Sequence, residues 1–191
     1  MLTAAAALLT SSLLFASGAP GASEDAEPSS NRESAFRRQG GLLDRSPQTR
    51  DHMLSVFAFP SWYYGFGMGA AARYTLPIAH DGFIPALNDS VELEFGGDVW
   101  FGGTGGFTYT AIGIPAEGRW TFHLTDRFDA YAKVGLGWVL AFTSAADLGV
   151  YNVGGLYVTA GPGVSYRVAD TVALRAEIGN FGLRAGVGFA F

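Results

Sequence analysis

The 191-residue sequence contains no cysteine, which excludes disulfide frameworks, thiolate metal sites and a lipobox anchor. Charge is also scarce: Asp, Glu, Lys and Arg make up 15% of the chain, against about a quarter in ordinary soluble proteins. Twelve Lys and Arg stand against 17 Asp and Glu, so no basic excess exists to meet a phosphate backbone, and nucleic acid drops out as a partner. Histidine occurs only at His52, His80 and His123, and no spaced His/Asp/Glu set reads as a metal site. The bulk of the chain is apolar or small. Hydrophobic residues reach 49% and glycine 27 positions, too much apolar surface for a disordered chain.

Three regions differ in character. Residues 2–16 are rich in Ala and Leu and uncharged, a length that suits a signal h-region and falls short of the roughly 20 residues of a helical span. With the small residues Ala16, Ser17, Gly18 and Ala19 behind them, they predict a signal peptide over 1–19. Residues 20–51 turn to Ser, Pro, Glu, Arg, Gln and Gly and predict a disordered linker, in which Phe36-Arg37-Arg38-Gln39 reads as a solvated basic spot, with a small docking motif as the alternative.

Residues 52–191 alternate strictly, the period of half-buried strands. Ala130, Ala132, Val134, Leu136, Trp138, Leu140 and Phe142 share one parity, and Asp129, Tyr131, Lys133, Gly135 and Gly137 the other. The region holds 7 Lys or Arg and 11 Asp or Glu, and none is expected on an apolar face. Asp81, Asp89, Asp126, Arg127, Asp147 and Asp170 read as turn residues. The other twelve fall on the polar face in balance: Arg73, Arg119, Lys133, Arg167, Arg175 and Arg184 against Glu92, Glu94, Asp98, Glu117, Asp129 and Glu177.

A sandwich would turn the apolar face to a core; a membrane barrel would turn it to lipid and line its interior with the charges. Glycine separates the two. The polar face carries Gly65, Gly67, Gly69, Gly135, Gly137, Gly161, Gly163, Gly186 and Gly188, which suits a crowded interior and not a solvent-washed surface. An Arg or Lys facing lipid at mid-bilayer costs about 2–4 kcal/mol, a physical cause for the exclusion. Trp62, Tyr64, Tyr74, Trp120, Phe128, Phe142 and Tyr166 sit where interfacial girdles would.

Strands are expected at 52–59, 62–77, 90–101, 108–124, 128–142, 155–168, 171–179 and 182–191. The tight turns Thr125-Asp126-Arg127 and Ala169-Asp170 mark the periplasmic end, and 78–90 is long for a turn on that side. The fold class is therefore all-β: an antiparallel up-and-down transmembrane barrel of eight strands over 52–191.

The terminal run Arg184-Ala185-Gly186-Val187-Gly188-Phe189-Ala190-Phe191 resembles the C-terminal signature of Gram-negative outer-membrane β-barrels, and the whole region resembles the small eight-stranded barrels of the OmpA-domain and OmpX-like kind. The resemblance implies integral residence in the outer membrane among phospholipid and lipopolysaccharide, and recognition of the last strand by the barrel assembly machinery through Gly186, Phe189 and Phe191. The short segments 102–107 and 144–152 depart from relatives whose long loops are adhesive.

Three functions are open at this stage. The first is a non-enzymatic, monomeric barrel without cofactor, plugged by a charge network that includes His123, in a structural or surface-interaction role. The second is a small pore or a hydrophobic-ligand conduit. The third, a lipid-modifying enzyme, would need a held nucleophile or acid/base group; His123 lies beside Arg119 on the polar face, and strand serines are few (Ser55, Ser165). A lumen histidine bonded to a carboxylate is the simpler reading, so no catalytic residue is assigned.

Overall fold

In the computed structural model, residues 34–61, 66–145, 149–179 and 182–191 are described. The expected signal peptide, residues 20–33 of the linker, and Trp62, Tyr64 and Gly65 lie outside them. Eight strands follow one another: β1 Met53–Ser61, β2 Phe66–Ala79, β3 Asp89–Thr104, β4 Phe107–His123, β5 Phe128–Ala145, β6 Gly149–Ala169, β7 Val172–Gly179 and β8 Gly182–Ala190. Each pairs antiparallel with the next, and β1 pairs with β8 from Met53↔Ala190 to Ala58↔Ala185. The sheet is a closed barrel with no free lateral edge between first and last strand. We call the end holding Met53 and Ala190 proximal and the other distal.

Burial alternates along the strands with the parity read from the sequence. On β4 every second residue from Tyr109 to His123 is buried, while Ile112 and Ile114 between them are 43% and 63% exposed. Val134, Leu136, Trp138 and Leu140 on β5 and Leu156, Val158 and Val164 on β6 also face outward. The apolar residues are thus on the outside and the charged ones within, the reverse of a soluble core.

The strands overrun several expected limits. Pro60 and Ser61, expected as a turn, belong to β1, and the expected loop 102–107 shrinks to Gly105-Gly106, whose φ values of 57° and 85° build a two-residue hairpin turn. β5 and β6 run 18 and 21 residues, well past the roughly 9–11 that cross a bilayer.

A larger correction concerns the linker. From Ser34 onward the stretch expected to be disordered is folded: a 3-10 turn at Ala35–Arg37 leads into a strap that runs under the proximal end. Leu42 N donates to Leu124 O, Asn88 N to Leu42 O, and Asn88 Nδ2 to Gly41 O. Arg50 reaches the Asn88 side-chain oxygen and donates to Gln48. The strap is held by hydrogen bonds and buries little apolar surface, so composition alone misreads it as disordered.

Candidate functional site: the interior of the barrel

An eight-stranded barrel has an interior just wide enough for side chains to fill. Here the filling comes in two layers. The distal layer is aromatic: Phe57, Phe59, Trp100 and Tyr109 are buried with Ala71 and Ala111, and Phe107, Val139 and Ala141 pack against them. Several large rings lie over a glycine on the neighbouring strand. The register pairs Phe59 with Gly69, Phe57 with Gly186, Tyr131 with Gly163 and Tyr157 with Gly137. A Cβ on Gly69, Gly137 or Gly163 would fall 2.3–2.5 Å from the ring it faces, so these glycines are the space the rings occupy.

Beneath the rings lies the charge network. Arg175, fully buried, places Nη2 2.7 Å from Glu94 and 2.8 Å from Glu177, and its Nη1 donates to Ser55 Oγ at 2.7 Å. Lys133 Nζ lies among three carboxylates, 2.9 Å from Glu94, 3.0 Å from Glu117 and 2.7 Å from Glu177. Arg73 forks onto both oxygens of Asp98 at 2.6 and 2.8 Å and spends its other amino group on the carbonyls of Gly97 and Ala72. Arg119 sits 3.4 Å from Glu92 and 3.5 Å from Glu94, and Arg184 3.6 Å from Asp98. Five cations thus meet five carboxylates. Hydroxyls take up remaining acceptor capacity: Thr75 donates to Glu94, Thr121 to Glu92, Thr159 to Glu117 and Tyr131 to Glu177. The Arg119 guanidinium also lies 4.1 Å above the Tyr131 ring.

Two of the expected network residues sit elsewhere. Asp129 is half-buried at the proximal rim and bonds His123 Nδ1 at 2.7 Å. Arg167 is exposed; its parity is inward, but it stands where β6 leaves the barrel beside a register shift, so it reaches the mouth and not the network. Together with Arg50, Glu92, Arg119, His123 and Asp129 it borders a cavity of about 150 Å³ under the strap, room for a few waters. Burial pulls the Arg50 guanidinium below its usual pKa, opposed by Asp129 and Glu92. Of the three residues expected to form an assembly signal, Phe189 and Phe191 point outward and Gly186 faces inward against Phe57.

Sequence reasoning missed four groups. Trp100 shares parity with Asp98, so a parity count extended to aromatics would have placed it inside. Asp89, expected in a turn, begins β3 and is buried. Asn88 and Arg50 anchor the strap. The serine beside His123 is Ser90: its Oγ lies 2.8 Å from Nε2, and Asp129 holds the opposite nitrogen. That connectivity is the one of a Ser–His–Asp triad. Its surroundings are not, because Ser90 has no exposed surface and its hydroxyl donates to Glu92 at 2.6 Å. A carboxylate at that place opposes a developing oxyanion. The chain Asp129–His123–Ser90–Glu92 is suited to holding charge in place. Among the described residues, no three His, Asp or Glu are grouped to hold a metal ion.

No protein-family model and no curated protein sequence matches this chain. Solved structures do. Ail, the attachment invasion locus protein of Yersinia pestis, superposes with a TM-score of 0.50 at 12% identity, over 75% of this chain and 100% of its own. Neisserial surface protein A superposes with a TM-score of 0.52 at 16% identity, over 73% of this chain and 95% of its own. At such identities the likeness speaks to the fold alone. A closed ring of eight antiparallel strands, apolar outside and charged within, gives this chain the fold of the small outer-membrane β-barrel proteins of Gram-negative bacteria.

Proposed function

We propose that the chain is an integral outer-membrane protein whose barrel is sealed, and that it serves a structural or surface-interaction role without catalysing a reaction or passing a solute. The observation that carries this reading is the filled interior: a neutral lattice of five cations and five carboxylates beneath an aromatic layer. A conduit needs side chains that leave a path, and these are committed to one another. The outer face fits contact with phospholipid and lipopolysaccharide, and the terminal Gly186, Phe189 and Phe191 fit recognition of β8 by the barrel assembly machinery. The barrel closes on itself, which suits a monomer.

Surface interaction is favoured over a purely structural role by β5 and β6, whose extra length stands clear of the hydrocarbon on the distal side. The names of the two similar proteins, an attachment protein and a surface protein, point the same way. The sealed barrel is tested by reconstitution into planar bilayers, where it should give no steady conductance above that of protein-free membrane. Reproducible channels whose ion selectivity changes when Arg119 or Lys133 is neutralised would replace this reading with that of a pore.

A further inference from the structure

Residues 80–88, between β2 and β3, are longer than the other described proximal turns, and what they cover is unusual. Asp89 pairs in register with Phe122, and the lumen-facing Ser90 pairs with Thr121, so the Asp89 carboxylate stands on the outer, apolar face together with Val91, Leu93 and Phe95. It is nevertheless 1% exposed. The loop folds over it: the backbone N–H groups of Phe83 and Ile84 donate to its Oδ2 at 3.0 and 3.4 Å, and the Trp120 indole N–H at 2.7 Å. Gly82 N bonds the Asp89 carbonyl, and a Cβ on Gly82 would fall 2.2 Å from Oδ2, so the loop passes as close as backbone can.

The side chains turned away from the carboxylate are apolar. Phe83 is 71% exposed and meets the Trp120 ring edge-on at 5.8 Å; Trp120 in turn packs on Phe122 at 4.6 Å. Ile78, at the end of β2, and Pro85 are also exposed. On the other side, His80 and Asp81 are exposed and polar, and His80 accepts a hydrogen bond from the Arg50 backbone of the strap. The loop is therefore two-sided, and its greasy side joins the outer apolar belt of the barrel through the ring contacts of Phe83 with Trp120 and of Trp120 with Phe122.

We infer that loop 82–87 is an interfacial membrane anchor: Phe83, Ile84 and Pro85 bed in the headgroup–acyl boundary of the leaflet at the proximal end, and Asp89 is the clamp that holds them there. The occupant is a lipid surface, because the patch is continuous with the face that meets hydrocarbon and its one carboxylate is shut away from that surface, with Oδ2 held by three donors and Oδ1 buried without a hydrogen-bond partner. An aromatic whose polar edge is satisfied and whose ring stays apolar suits that depth. The inference rests on the membrane reading proposed above.

The absence of cysteine makes the test direct. Three single-cysteine variants carry a nitroxide in vesicles of phosphatidylethanolamine and phosphatidylglycerol: Phe83→Cys; Leu136→Cys on the outer wall; and Asp126→Cys in a proximal turn, 71% exposed. The Phe83 label should favour oxygen over a water-soluble nickel chelate, at a depth between the other two. A Phe83 label that reads like Asp126 while Leu136 reads lipid overturns the anchor and leaves the membrane reading standing. An aqueous Leu136 label overturns both. A Phe83 label that neither reagent reaches places protein against the loop, a second copy included, and overturns the anchor. Adding Asp89→Ala should abolish the oxygen preference at position 83; an unchanged preference refutes the clamp.

Discussion

Glu94 is the most heavily used carboxylate of the interior, and its neutralisation separates a dry lumen from a wet one. Lys133, Arg175 and Arg119 approach it to 2.9, 2.7 and 3.5 Å, and Thr75 donates to it at 2.9 Å. At an effective permittivity of about 20, each of those cation contacts is worth about 5–6 kcal/mol of gross attraction; in bulk water each falls to about 1–1.5 kcal/mol. The substitution Glu94→Gln keeps the shape and removes the charge, leaving the five-against-five lattice with one cation in excess. Breaking one partner of a buried network costs about 3–5 kcal/mol, whereas an exposed pair costs no more than about 1 kcal/mol.

Urea unfolding of the lipid-reconstituted protein, followed by the heat-modifiable mobility of the folded barrel, measures that difference. Glu94→Gln should lose about 3–5 kcal/mol, while Asp126→Asn on the exposed proximal turn should stay within about 0.5 kcal/mol of the parent. Combining Glu94→Gln with Lys133→Gln restores neutrality, and the double variant should be more stable than the sum of the two losses by about 0.5–3 kcal/mol. A Glu94→Gln loss no larger than that of Asp126→Asn, or strict additivity, would refute a dry, mutually committed lattice.

Two further outcomes follow from the packing and from the strap. Gly163→Ala drives a Cβ to 2.4 Å from the Tyr131 ring and should cost about 1–3 kcal/mol in the same unfolding assay, while Gly155→Ala, on the same strand with nothing within 4 Å, should be neutral or stabilise by up to about 1 kcal/mol. Asp44 accepts from Gly40 N, Ser46 N, the Ser46 hydroxyl and Gln48, and the backbone N–H groups lower its pKa from 3.8 to about 2. A depressed carboxylate contributes order that is complete above pH 3.8 and lost as pH falls through about 2. The Gly40 and Ser46 amide resonances should therefore hold steady down to pH 4 and move together near pH 2; titration near 3.8 would show that the turn does not hold the carboxylate.

The barrel was legible because its signal is short-ranged: a period of two needs only neighbours along one strand, and exclusion of charge from one parity has a large energetic cause. What depends on a second strand was not. Ser90 and His123 come from β3 and β4, and only the register brings them together. Asp89 has outward parity and is tolerated because a loop covers it, which no local pattern announces. Arg167 shows the limit from the other side: parity gives its direction, and only the place where β6 ends gives its depth. The strap left no apolar signature because it docks through backbone groups and the polar side chains of Arg50, His80 and Asn88.

The register also shows why the interior forms as a unit. Glu94 is paired with Glu117, and Arg119 with Lys133, so neighbouring strands set like charges side by side. Such rungs are unfavourable in an isolated hairpin. Arg119 offsets Glu94 from within the hairpin at 3.5 Å, and the remaining compensation comes from other strands: Lys133 on β5 bridges Glu94 on β3 to Glu117 on β4, and Arg175 on β7 reaches Glu94 on β3 and Ser55 on β1. The hairpin of β3 and β4 sets Glu92, Glu94, Asp98 and Glu117 against Arg119 alone, so its interior face stays net negative until Arg73 on β2, Lys133 on β5, Arg175 on β7 and Arg184 on β8 arrive. Closing the barrel and neutralising its interior are then one step, which disfavours partly assembled sheets in the bilayer and makes the charge lattice a determinant of closure as well as a seal.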